Sequence, residues 1–213
     1  MARRSKEEAE RTRCAIIDAA IRVFSVKGVS HASLSMIAKE AGVTRGAVYW
    51  HFSNKTDLLN TLWDEILLPF EELTVASMDK GETDPLGKLG QLLIFLLEGI
   101  TEDSRRQKLF RIVLDKCEAV EDTGEIHLRH LSRHVEGLQK IETILSHAVE
   151  RGQLPDHIHT RLAASVIVAF LDGLIANWLT FPELFEIKGK IPLLVKACLD
   201  MLPGLIQAQT VLD

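Results

Sequence analysis

The side chains whose types and spacing suggest chemistry lie between Ser33 and Lys55. Arg45 follows Thr44 and precedes Gly46, Ala47 and Val48, which add little bulk. A short helix starting there can sink into the major groove of DNA with its first residues against the base edges, and Arg45 is the base reader expected of it. Upstream, Leu34, Ile37, Ala38 and Ala41 predict a helix of barely two turns. Its small alanines let a second helix cross closely, and Gly42 permits the turn between them. The expected motif is a helix-turn-helix.

Other clusters carry less. His127, His130 and His134 share one helix face, but no cysteine or carboxylate pair completes a tetrahedral set, so a solvated face and no metal are expected. His157 and His159, in a loop after Pro155, carry the same expectation. Lys116-Cys117-Glu118 would be redox-active only with an exposed thiol, and a buried helix cysteine is expected there. The chain has no Gly-rich phosphate loop, no His-Glu-x-x-His, no Gly-x-Ser-x-Gly and no matched acid and base in one segment. Neither an enzyme nor a cofactor is expected.

The elements that must position the motif read as helices throughout. Ile16, Ile17, Ala20, Val23 and Phe24 recur at three- and four-residue steps, which predicts an amphipathic helix from about 8 to 27, stopped by Gly28. Ser33 and Thr44 are expected N-caps of the two short helices. Asn54, with Asp57 three residues on, opens a long helix carrying Leu58, Leu59, Leu62 and Trp63, which Pro69 is expected to kink or restart. Asp84-Pro85 opens another through Leu97, and further segments read at about 104–119, 125–151, 160–181 and 187–207. The fold class is all-α with about nine helices. A three-helix helix-turn-helix DNA-binding domain with a basic N-terminal arm is expected at 1–65, and a larger helical domain at 66–213.

Net charge is −5 over 213 residues, but it is divided unevenly. Residues 1–55 hold ten Lys and Arg against five Asp and Glu, so the acidic excess lies in the remainder. A basic module on an acidic body suits a module that alone approaches a polyanion. The longest apolar stretches, Leu92–Leu97 and Leu162–Leu171, fall short of the ~20 residues that cross a bilayer. No apolar segment follows the basic N-terminus, and the three cysteines show no Cys-x-x-Cys pair. A soluble cytoplasmic protein with buried thiols is expected. Leu162–Leu179 is apolar almost all round, which predicts burial both in its own core and against a second subunit.

The run Gly42-Val-Thr-Arg-Gly-Ala-Val-Tyr-Trp-His-Phe-Ser-Asn-Lys55 resembles the signature of the TetR family of bacterial repressors, and the first 65 or so residues resemble its DNA-binding domain throughout. The opening Met-Ala-Arg-Arg-Ser-Lys-Glu-Glu-Ala, with Lys116-Cys117-Glu118 and Asp172-Gly173-Leu174, is similar more narrowly to the AcrR/TtgR-like repressors of multidrug efflux genes. The resemblance implies that Arg45 reads base edges beside Gly46, that Ala47 or Val48 touches thymine methyls, and that Tyr49, His51 and Lys55 clamp phosphates. Ser33 and Thr44 would add hydroxyl and helix-end contacts, and Arg3 and Arg4 on an unstructured arm would reach the adjacent backbone or minor groove. Phe52 is expected in the core, and Trp50 is left open.

The same resemblance implies a homodimer built through the last two helices on a (pseudo)palindromic double-stranded DNA operator, released by a hydrophobic small molecule. Expected cavity-lining residues are Leu67, Leu89, Leu92, Leu93 and Leu96, then Phe110, Val113 and Leu114. Leu138 and Ile141 follow, with Phe170, Asp172, Ile175 and Trp178 on the next helix. Phe110, Leu114 and Ala176 stand where related efflux repressors carry polar groups, which predicts a greasier pocket. Two alternatives stay open: a TetR-like activator, and a helical scaffold or partner-binding protein that no longer uses DNA.

Overall fold

The structure is a computed structural model that describes residues 2–79, 81–115 and 124–205. Lys116-Cys117-Glu118 and the side chains of Arg3, Arg4, Leu67, Val113, Leu114, His127 and His130 lie outside the described residues. Helix α1 spans Ala2–His31. No glycine or proline interrupts it before Gly28, so the backbone is helical from Ala2 and Arg3 and Arg4 belong to α1, not to an arm. At Gly28 the backbone turns to φ 77°, ψ 162°, a conformation a β-carbon resists, and the helix breaks there. Ile16, Ile17, Ala20 and Phe24 of α1 are almost wholly buried, the predicted apolar face.

Helix α2 spans Leu34–Ala41, α3 Arg45–His51 and α4 Lys55–Ser77. Pro69 falls inside α4, and the helix runs through it. Helix α5 spans Pro85–Glu102, opened by Asp84, whose carboxylate accepts from the Gly87 N–H at 2.9 Å. Gln153 clamps this start. Its amide nitrogen donates to Asp84 at 2.6 Å and its amide oxygen accepts from the Leu86 N–H at 3.1 Å. These two donors, Gln153 first and Gly87 second, hold the Asp84 carboxyl below its ordinary pKa.

Helix α6 spans Ser104–Asp115, α7 Gly124–Glu150, α8 Thr160–Thr180 and α9 Ile191–Asp200, followed by a 3-10 turn at Leu202–Gly204. The last helix begins at 191 instead of 187. Gly189 sits at φ 72°, and the turns between Phe181 and Lys190 use up the segment first read as helix. Among the described residues there are nine α-helices and no strands, as the sequence pattern requires.

Two compact units divide the chain. One takes in Met1–Leu67 and Ser104–Arg129, the other Leu68–Asp103 and His130–Asp213. The core of the first is built from α1 to α4, with Leu109 and Ile112 of α6 joining it and Phe110 packed against it. Arg22 of α1 donates to Glu40 of α2 at 2.7 Å across its surface. In the second unit, α5 contributes Leu89, Leu93 and Leu97, α7 Ile144 and Leu145, α8 Ile167 and Ile175, and α9 Val195 and Cys198. Burial pushes the Cys198 thiol up to about 11, whereas Cys14 is exposed on α1, against the expectation of buried thiols.

Helix α8 is long and apolar enough, by length and composition, to cross a membrane. Its burial is one-sided. Ala164, Ile167, Leu171, Ile175 and Trp178 form a buried stripe, and the opposite stripe of Leu162, Val166, Ala169, Gly173, Ala176 and Thr180 is exposed or half-buried.

Candidate nucleic-acid interface

The turn between α2 and α3 is fixed by hydrogen bonds that its residue types dictate. Ser33 caps α2, its hydroxyl accepting from the Met36 N–H at 3.2 Å. Gly42 ends α2 at φ 68°, ψ 27°, and the Val43 N–H closes onto the Ala38 carbonyl at 3.0 Å. Thr44 then caps α3, accepting from the Ala47 N–H at 3.1 Å. Both hydroxyls are engaged as caps at the helix starts where phosphate contacts were expected.

Helix α3 has one anchored edge. Val48 and Phe52 are almost fully buried, and the Arg13 guanidinium of α1 lies over the Phe52 ring at 5.6 Å. At 100° per residue the opposite ridge consists of Gly46 and Trp50, flanked by Ala47 on one side and Tyr49, then Arg45, on the other. Arg45 and Gly46 are exposed, Tyr49 is 51% exposed and Trp50 73%. A β-carbon added at Gly46 would meet only the Thr44 hydroxyl, at 3.8 Å, so internal packing does not require the glycine.

The structure therefore brings Arg45, Gly46, Ala47 and Tyr49 to one open surface with Trp50. Of the two residues expected at thymine methyls, Ala47 or Val48, Val48 faces the core at 0% exposure, because its side of the helix packs on the first unit. His51 is half-buried beneath Trp50, ring to ring at 4.5 Å and 90°. Burial, and then the charge of Arg13, lower its pKa against the opposing pull of Glu10. A cleft of about 330 Å³ separates this edge from Glu8, Ala9 and Thr12 of α1.

Lys55 corrects its expected role. Its ammonium donates to the carbonyls of Val29, Ser30 and Ala32, at 2.8, 3.4 and 3.3 Å. These carbonyls stand at the C-terminal end of α1, where a helix leaves its last oxygens without i+4 partners, and a lysine with three donors answers them. Sequence reasoning missed this because the match to a phosphate-binding position hid the local need of α1.

The residues expected around an effector divide. Leu89, Leu92, Leu93, Ile141, Ile175 and Trp178 are buried in the second unit, and Leu96, Leu138 and Phe170 are half-buried there. Phe110 is taken by the core of the first unit. Asp172 is exposed on the flank of α8, because the helix turns its buried stripe 100° away from it. Surface cavities of about 380 Å³, beside Leu86, Gly90, Val195 and Leu199, and of about 280 Å³, beside Glu98, Thr101 and Ile191, are lined by none of the expected residues. Among the described residues no cluster of histidines, cysteines and carboxylates could hold a metal.

Residues 16–62 match the family described as bacterial regulatory proteins, tetR family, and residues 84–203 match the C-terminal region of MAATS-type transcriptional repressors. The chain is 39% identical over 201 residues to the HTH-type transcriptional regulator AcrR of Shigella flexneri, covering 94% of each chain. It is 40% identical over 202 residues to TtgR of Pseudomonas putida, covering 95% of this chain and 96% of that one. Among solved structures it is similar to NalD, the secondary repressor of the MexAB-OprM multidrug efflux pump in Pseudomonas aeruginosa. The TM-score is 0.80, with 32% identity over 94% of this chain and 98% of that one.

Proposed function

The chain belongs to the TetR family of bacterial regulatory proteins, and on that premise we propose that it is a homodimeric repressor of a multidrug efflux operon that leaves its operator when a hydrophobic small molecule binds. The observation that carries this reading is the two-sided α3. It is anchored through Val48 and Phe52 and offers Arg45, Gly46, Ala47, Tyr49 and Trp50 along its free side. A helix so short and so sparsely substituted at its start fits the major groove, where Arg45 can give two bonds to a guanine edge. Tyr49 and the partly covered His51 carry groups that can donate to phosphates beside the groove. The first unit is the DNA-reading domain in this proposal, and the second binds effector and dimerises.

The outward stripe of α8 supports a subunit interface. Ala169, Gly173 and Ala176 let a second helix approach closely, and Leu193 on α9 and Met201 just after it are large apolar side chains left exposed. Two-fold DNA sites match two-fold proteins, so a (pseudo)palindromic operator follows. Leu171 faces the chain's own core, so a charge there would disrupt folding and Gly173 is the better probe of association. The buried residues Leu89, Leu92, Leu93, Ile141, Ile175 and Trp178 are the proposed walls of an effector cavity, with few polar anchors and hence a taste for apolar ligands. Its activity and location would be those of a regulator acting on cytoplasmic DNA.

The test is binding to the DNA upstream of the chain's own gene, at two salt concentrations, with Arg45→Ala alongside. Tight, salt-sensitive binding lost in the variant supports the repressor. Absence of specific binding at either salt, to this DNA or to genomic fragments, refutes it.

A further inference from the structure

Arg105 stands in the first turn of α6, where the helix dipole disfavours a cation. Two carboxylates from two other helices answer it. The guanidinium donates through Nη1 to Asp18 of α1, and through Nε and Nη2 to one oxygen of Glu65 of α4 at 3.3 and 2.9 Å. All three side chains belong to the first unit and are half-buried, where neither full screening nor full desolvation applies.

What distinguishes this triad is its place in the chain. The polypeptide passes between the units at Leu67–Leu68 inside α4, at Asp103–Ser104 between α5 and α6, and at Arg129–His130 inside α7. Glu65 lies just before the first crossing and Arg105 just after the second. One guanidinium thus fastens two of the three crossings to α1, and α1 shares its core with α2 and α3. A planar fork holds two carboxylates in one fixed geometry, which an ammonium, as a point charge with rotatable donors, reproduces only in part.

Resting on the DNA-reading role given above, we propose that Arg105 is a positioning residue for operator recognition. By tying α4 and α6 to α1, it joins the helix that shares its core with the reading helix to two of the three segments at which the chain passes between the units. Without the tie, the shared core of Leu58, Leu59, Leu62, Leu109 and Ile112 still holds α1, α4 and α6 together, while their solvent-facing junction loosens. Operator binding must then meet the entropy of ordering that junction.

The experiment compares the full chain with Arg105→Gln, Arg105→Lys and the pair Asp18→Asn with Glu65→Gln. Amide hydrogen exchange without DNA and operator affinity against salt are the two readouts. Arg105→Gln is expected to speed exchange in α4 before Leu67 and in the first turns of α6, and to weaken operator binding about tenfold at an unchanged salt slope. The carboxylate pair should reproduce this, and adding Arg105→Gln to it should cost nothing more. Arg105→Lys should fall between. Unchanged exchange would show that the triad ties nothing, and faster exchange with unchanged operator affinity would reduce it to a local stabiliser. A salt slope lower by about 0.9 would make Arg105 a direct phosphate contact. Failure of the parent chain to bind DNA would defeat the premise before any variant is made, while the exchange arm would still report on the tie.

Discussion

Replacing Gly46 with alanine separates what this residue does for folding from what it does for DNA. Its φ is not positive, and the added β-carbon meets only the Thr44 hydroxyl at an ordinary 3.8 Å, so the helix accepts it without strain. Removing a glycine from the unfolded chain should then stabilise the fold by about 0.4–1 kcal/mol. For a chain of this length that raises Tm by about 1–4 °C. At the operator the same methyl group stands on the ridge opposite Val48, where helix and groove floor must meet. Overpacking of this kind costs about 1–3 kcal/mol, so operator affinity should fall roughly tenfold or more. Thermal melts followed by circular dichroism and fluorescence anisotropy with a labelled operator measure the two effects on one sample. A variant that is more stable and binds within about twofold of the parent would show that Gly46 does not approach the DNA. A variant that is less stable would mean the packing around α3 has been misread.

Lys55→Met removes the partner of three carbonyls at the end of α1 and should destabilise the chain by about 2 kcal/mol, measured by urea unfolding, while the salt slope of DNA binding stays put. A drop in that slope without loss of stability would return Lys55 to the phosphates. His51 titrates below the usual imidazole value in the free protein, and a phosphate beside it would raise that value. Binding then takes up a proton, so affinity should rise as pH falls through the window between the bound and free values and level off below both. His51→Gln should flatten the profile, and an equally steep profile in that variant would assign the proton elsewhere. Gly173→Arg, placed on the open side of α8, should give folded monomers by sedimentation with weakened operator binding, and an unaltered dimer would move the interface away from α8.

The helices were legible in the sequence because their signals are local: Ser33, Thr44 and Asp84 before apolar periodicity, Gly42 after it. The reading surface was partly legible for the same reason, since Arg45, Gly46 and Ala47 follow a cap directly. Val48 and Trp50 exchanged their expected prominence because the side of a seven-residue helix depends on which residues α1 covers, and no pattern that short fixes it. Lys55 and Arg105 were illegible on physical grounds. Each answers groups far away in sequence, the carbonyls at the end of α1 and the carboxylates Asp18 and Glu65, and long-range polar pairing leaves no periodic trace. Asp172 misled because an acidic residue in an apolar helix reads as buried until the angle of the buried stripe is known.

The perpendicular contact of Trp50 with His51 also gives the molecule an optical consequence. An indole exposed to water on one side and touching an imidazole on the other has its emission governed by both, since a protonated imidazole accepts electron density from an excited indole. Trp63 and Trp178 are the chain's other indoles, and Trp178 is buried in the second unit. With those two replaced by phenylalanine, the pH-dependent emission of Trp50 gauges the charge on His51 of the reading helix, before any operator or dye is added.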